Sequence, residues 1–244
     1  MSIEPFPVVT PNAEGTEGDK IEPLYVNSHR EFDEIVRGML PDFEGKESEQ
    51  NWIARERHVL TLRRLTKGNA PQDYQQYYLV GIKTLLDGIL KAVNSLRTTL
   101  SASGCNLIQD IARTNGPAID HMVEVLLQNM IKVCGALKKI SAQNGNITVD
   151  VIIGNVSYSS RILQHLCAAS QDKNVQPRLF ATGWIKTLII RHGRHKGSIE
   201  HSGGLELLEK CIRKGLGDAN PGVRESMRGT FWTFARVWPD KANR

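Results

Sequence analysis

The chain has 244 residues, 40% of them apolar, enough for one core or one elongated stack of repeats within the range of a single domain. No apolar run approaches the roughly 20 residues that cross a bilayer, and the N-terminus lacks a basic start followed by an apolar stretch, which predicts a soluble, non-secreted protein. The net charge of +5 conceals an imbalance, because residues 1–22 hold five acids against Lys20 alone and leave +9 on the remainder; that points to an acidic partner, with nucleic acid, anionic membrane and protein all open on charge alone.

Residues 1–27 mix Pro, Gly, Glu and Thr with little apolar periodicity, the composition of a disordered acidic tail. Order is predicted from residue 28. Ser28 and Glu31 have capping-box spacing, and Phe32, Ile35, Val36, Met39 and Leu40 then share one helical face up to Pro41. Further helices are predicted over 52–67, 72–93, 98–113, 118–137, 139–156, 159–170, 175–192, 204–216 and 221–237. The run "ITVDVIIGNV" at 147–156 is rich in β-branched residues and is assigned to helix from its neighbours.

Cys105, Cys134, Cys167 and Cys211 stand 29, 33 and 44 residues apart, without the close pairs of a zinc or redox motif, and read as reduced core thiols. His192, His195 and His201 fall in a glycine-rich basic stretch, 191–204, that reads as a solvated loop and not a metal site. No nucleophile elbow, HExxH, P-loop or paired-carboxylate constellation is present, so no enzyme and no cofactor are expected.

The stretch "GLGDANPGVRESMR" at 215–228 reads as a helix stop and a helix start. Gly215 and Gly217 offer positive φ, Asn220 caps the next helix and Pro221 opens it. Arg224 then sits in the first turn, where the helix dipole repels a cation. The same order occurs at "QDKNVQPR": Asp172, Asn174 and Arg178 fall on Asp218, Asn220 and Arg224 at an offset of 46 residues, with Trp184 and Trp232 on the helices that follow. That offset lies in the range of HEAT and armadillo units. The all-α architecture expected is an α-solenoid of about five hairpins, over 28–67, 71–115, 117–156, 158–193 and 203–240.

Together with "LPDFEGKESEQNWIARERHVLTLRRL" at 40–65 and "LLDGILKAVNSLRTTLSASGCNLIQDIA" at 85–112, these turns make residues 28–240 resemble a TOG domain of the fungal CLASP (cytoplasmic linker-associated protein) family, the second such domain more than the first. The resemblance implies a paddle that binds αβ-tubulin and microtubules through its intra-hairpin turns. It carries the contact role to Trp52 in the first turn, Arg97 in the second, Lys138 and Lys139 in the third, Lys173 and Arg178 in the fourth, and Arg224 with Arg228 in the fifth. Trp52 would face β-tubulin and the Arg178 and Arg224 end α-tubulin. It also implies rescue of microtubules and suppression of catastrophe, cytoplasmic and cytoskeletal placement with the mitotic spindle and kinetochore, a monomeric isolated domain, and dimerisation open to the full-length protein. Neither nucleic acid nor membrane is expected as partner.

Residue by residue, structural roles compete with these. Asp172 with Arg178 and Asp218 with Arg224 can form a stiffening ladder of ion pairs, a role compatible with outward contact because a guanidinium has five N–H donors. Trp52 reads as a core staple on residues alone and as an exposed interface anchor with the family in view. Trp184, Trp232 and Trp238 are assigned to the core. The alternative function is a HEAT or armadillo adaptor that holds an acidic peptide in its groove.

Overall fold

A computed structural model describes residues 21–242. Ser28 caps α1 (His29–Phe43), its Oγ accepting the Glu31 N–H at 3.2 Å, while the Glu31 carboxylate accepts from the Asn27 N–H at 2.7 Å. Pro41 does not end the helix. So near the C-terminus a proline forfeits few bonds, and the core still draws in Phe43. α2 (Trp52–Lys67) closes the first hairpin, and the short α3 (Ala70–Asp73) leads to the second, α4 (Gln75–Val93) with α5 (Thr98–Asn115). A 3-10 turn precedes the third, α6 (Asp120–Val133) with α7 (Lys139–Asn155). The fourth is α8 (Ser160–Ala169) with α9 (Val175–His192). After α10 (Gly197–His201) comes the fifth, α11 (Gly204–Leu216) with α12 (Pro221–Val237), and then α13 (Pro239–Ala242).

First helices pack on first helices, α1 on α4, α4 on α6, α6 on α8 and α8 on α11; second helices pack likewise, α2 on α5, α5 on α7, α7 on α9 and α9 on α12. The result is a two-layered α-solenoid with one continuous apolar core, since no hairpin buries its faces without a neighbour. The β-branched run at 147–156 lies in α7, where Val149, Ile152 and Ile153 are buried; packing overrides its strand propensity. Of the expected tail, residues 1–20 lie outside the described residues. Residues 21–27 lie along α2 and α3: the Leu24 N–H donates to the Arg64 carbonyl at 2.9 Å, and the Val26 N–H to Asn69 Oδ1 at 2.9 Å.

Several sequence expectations need correction. The turn at 215–220 uses no left-handed glycine, since Gly217 has φ −100° and Gly215 is helical; Gly215 instead leaves room for Met227, whose Cε would lie 2.4 Å from an added Cβ. The stretch 191–204 is not simply a solvated loop. It folds partly into α10, and the His192 ring packs on Tyr158, with burial pulling its pKa down to about 4. All four cysteines are buried and free, as expected, and Cys167 on α8 and Cys211 on α11 are close enough to influence each other's titration. Burial pushes the thiols of Cys105 and Cys134 up to about 11 and about 12.

Trp184 and Trp238 are core residues, whereas Trp232 is 64% exposed. The reason is register. Trp184 stands six residues after Arg178 but Trp232 eight after Arg224, and two residues turn a side chain by about 200°, from core to solvent.

Two glycines with opposite surroundings test the packing. A Cβ on Gly68 would lie 1.9 Å from the Leu24 carbonyl oxygen, so Gly68→Ala is expected to cost about 1–3 kcal/mol in urea denaturation. Gly38, inside α1 with open space around it, should gain about 0.5–1 kcal/mol on substitution by alanine.

Candidate functional site

The five intra-hairpin turns lie along one edge, because every hairpin enters its second helix in the same layer. The N-caps of those second helices are Asn51, Arg97, Lys138, Asn174 and Asn220, which puts the turns in a common register. Before each cap stand Gln50, Leu96, Leu137, Lys173 and Ala219; four residues after it stand Arg55, Ser101, Ala142, Arg178 and Arg224.

That register explains the misplaced cation. The Arg224 guanidinium reaches back past its own helix start, and its Nη1 donates to the carbonyls of Asp218 at 2.6 Å and Ala219 at 3.0 Å. These lie just beyond the end of α11, where a helix dipole favours positive charge. Arg178 Nη1 does the same to Asp172 at 3.0 Å and Lys173 at 3.2 Å. In the first turn the residue is Arg55, only 1% exposed, whose Nε donates to the Asp42 carbonyl at 2.9 Å and Nη2 to those of Glu44 and Gly45 at 3.0 and 3.2 Å. In the second turn Ser101 Oγ donates to the Val93 carbonyl at 2.7 Å. Arg55 belongs to a third copy of the pattern that revealed Arg178 and Arg224, since Glu49, Asn51 and Arg55 match Asp172, Asn174 and Arg178; glutamate in place of aspartate concealed it.

A second set of bonds joins one turn to the next. Arg97 pairs with Glu47 at 2.8 Å and with Glu49, both in the first turn, and its guanidinium lies 5.0 Å from the centre of the Trp52 ring. Lys138 Nζ donates to the Leu96 carbonyl at 2.9 Å. Arg178 grips Asp218 of the fifth turn through Nε at 2.8 Å and Nη2 at 3.1 Å. The ladder therefore exists but with other partners than Asp172–Arg178 and Asp218–Arg224. Asp172 Oδ1 accepts from the Asn174 N–H at 2.7 Å and Asp218 Oδ1 from the Asn220 N–H at 2.8 Å, each closing its own turn, and only Asp218 lies within reach of a guanidinium fork. The Arg178 guanidinium holds the Asp218 carboxyl below the usual carboxylate range.

Trp52 is accordingly half-buried, packed on the core below Arg97, and does not stand free at the surface. Arg228 pairs with Glu225. Of the eight candidate residues, Lys139 and Lys173 alone are exposed cations without a partner among the described residues. What charge-led reading missed is apolar: Leu96 and Leu137, each directly before its cap, are 86% and 102% exposed, and Ile53, Ile140 and Val175 are also exposed beside their turns. Their signal was a leucine in an otherwise polar turn, "NSLR" and "GALKK". The edge can thus offer an apolar row with two free lysines to an acidic surface. Among the described residues no three potential metal ligands cluster, and no helix is long and apolar enough to cross a membrane.

The sequence matches the family described as CLASP N terminal over residues 32–244. It is 75% identical to Protein STU1 of Coccidioides immitis (strain RS) over 96% of this chain and 19% of that protein. Identity to Protein stu1 of Aspergillus fumigatus is 63%, over 98% of this chain and 18% of that protein. The chain therefore spans about a fifth of the length of these curated relatives. Among solved structures, a chain from a complex of Kap95p with RanGDP is similar at TM-score 0.50 and 13% identity, covering 86% of this chain and 26% of that one. A computationally designed armadillo repeat protein is similar at TM-score 0.47 and 15% identity, covering 84% and 85%.

Arg55→Ala should cost about 3 kcal/mol or more in chemical denaturation, because three carbonyls and a cavity are left behind, and Arg224→Ala about 1–3 kcal/mol. The lowered Asp218 carboxyl adds stability that is present above the unfolded carboxylate value and lost as pH falls through the folded one. Asp218→Asn should therefore flatten the loss of stability below about pH 4, measured as melting temperature against pH.

Proposed function

The chain belongs to the CLASP N-terminal family, a non-enzymatic helical scaffold, and from that premise we propose that it binds the αβ-tubulin dimer, free or in the microtubule lattice, along its turn edge. The observation that carries this reading is the exposed apolar row of Leu96, Leu137 and Ile140 flanked by Lys139 and Lys173, which have no partner among the described residues. Apolar tips supply the desolvated contact, and the lysines steer an acidic partner into register. Trp52 lies at the end facing β-tubulin and Arg224 at the end facing α-tubulin. Trp52, Arg97, Lys138, Arg178 and Arg224 act chiefly by holding the tips in place, with their remaining donors turned outward.

In the longer protein this domain serves microtubule rescue and spindle assembly, with further modules adding avidity. A second reading rests on one observation: Leu179, Lys186 and Ile190 form an exposed stripe on α9, and Ile147 is exposed on α7, a surface on which an adaptor could hold a peptide.

Binding of labelled αβ-tubulin separates the two. Leu96→Ser and Leu137→Ser are each expected to weaken it about tenfold with unchanged melting temperature, and Lys139→Glu with Lys173→Glu to slow association and reduce its salt dependence. Unchanged binding in these variants, with loss in Leu179→Ser and Ile190→Ser, would select the adaptor.

A further inference from the structure

Unmatched positive charge also lies beyond the turn tips, on the first layer. Between residues 125 and 171 the sole acid is Asp150, and it sits on α7 of the second layer, where it accepts from Thr187. Lys132 is exposed in the last turn of α6 and Lys214 in the last turn of α11, places where the helix dipole favours a cation. A lysine on a helix surface ordinarily gains from an acid three or four residues earlier. Here those places hold Asn129 and Gln128 on α6, and Cys211 and Lys210 on α11. Lys132 has no partner among the described residues, and Lys214 Nζ donates at 2.7 Å to the neutral amide of Gln171, so both keep their full charge.

Stacking turns these separate lysines into a strip. α6 packs on α8 and α8 on α11, and at roughly 8–10 Å per step Lys132 and Lys214 stand about 20 Å apart across the first layer. Between them α8 exposes Gln164 and Ala168, which are uncharged and short. Lys139 and Lys173 border the strip at the third and fourth tips, and Lys210 continues it one turn from Lys214, with Glu206 a further turn away. The other acids of these elements are engaged. Glu124 is held by Arg161 at 2.9 Å and Glu209 by Lys241 at 3.6 Å, while Asp120 and Asp172 accept from the N–H groups of Ser157 and Asn174.

The make-up of the strip selects its occupant. None of α6, α8 and α11 has a Phe, Tyr or Trp, so nucleic-acid bases find no stacking platform. The exposed large apolar residue of these helices, Val125, lies two turns from Lys132, so the strip has no anchor for a folded partner. Its cations are lysines, flexible point charges, whereas the guanidinium forks that grip phosphates in two places at once are spent inside the turns as Arg178 and Arg224. Arg213 stands outside the strip: two residues on from Cys211, which faces α8, it points about 200° away. We propose that this strip binds an extended, flexible peptide segment rich in carboxylates, with Lys132 and Lys214 at its ends. About six extended residues span that distance. Because Lys132 and Lys214 lie on the helices and not in the turns, the segment and a partner on the tips can be held together.

A labelled peptide of about twelve residues, alternating glutamate and glycine, tests the proposal by fluorescence anisotropy with the full chain at low ionic strength. It should bind and be released as salt rises, with affinity about tenfold lower for the double variant Lys132→Glu, Lys214→Glu. The milder Lys132→Gln, Lys214→Gln keeps most of each stem and should lower affinity in the same direction, so a folding defect in the first pair does not decide the matter. Lys186→Glu on the second layer and Leu96→Ser at a turn tip should leave binding unchanged. Absence of binding, an equal loss with Lys186→Glu, or tighter binding of an oligothymidylate of equal charge would overturn the proposal. No tubulin enters the assay, so its failure leaves the turn-edge reading standing, and loss of tubulin binding in Leu96→Ser leaves the strip standing.

Discussion

Each hairpin reverses direction within a few residues, which strands the last carbonyls of its first helix at a helix end that backbone alone does not satisfy. The fold meets this constraint with one side chain from the start of the second helix. Arg55, Arg178 and Arg224 occupy that place in three turns and Ser101 in a fourth. A guanidinium suits the task because its fork reaches two or three carbonyls at once, and the charge that its own helix start repels is welcome at the preceding helix end. With the turn closed from inside, the residue before the cap has no polar duty. That is what allows Leu96 to project into solvent; Leu137 projects from the third turn, where Ala142 holds the closing place and no side chain serves it.

The edge is further stitched sideways. Arg97 and Lys138 bind the first three turns together, and Arg178 binds the fourth to the fifth. Among the described residues no such bond joins the third turn to the fourth. There α7 and α9 meet deeper in the stack, where Trp184 Nε1 donates to Asn146 Oδ1 at 2.9 Å and Thr187 to Asp150 at 2.6 Å. The angle between the two stitched blocks is therefore set by the packing of α7 on α9 and of α6 on α8, where Arg161 pairs with Glu124 at 2.9 Å, and the line of the five tips follows from it.

The helices were legible because apolar periodicity and Asn or Ser caps recur at their boundaries, and the repeat was legible because Asp172, Asn174 and Arg178 return at the fifth turn. Partners were not. Sequence places Asp218 six residues from Arg224, but stacking brings it within reach of Arg178, and no spacing within a chain encodes which neighbour a side chain meets. Trp232 was misassigned for a related reason: its alignment with Trp184 is two residues out, and a helix converts that small shift into the opposite face. Leu96 and Leu137 were overlooked because attention to net charge favours cations, several of which are consumed in holding the turns. The family match reaches residues 32–244 and fits the stacked hairpins, while the residues that touch a partner have to be argued from which side chains remain free.

Hydrogen–deuterium exchange of the chain alone and saturated with αβ-tubulin tests the central claim most directly. Slowed exchange is expected at the turn tips, residues 44–52, 94–98, 134–140, 171–176 and 217–222, with the middle of α12 unaffected. Slowing confined to α7 and α9, with the tips exchanging as in the free chain, would contradict it.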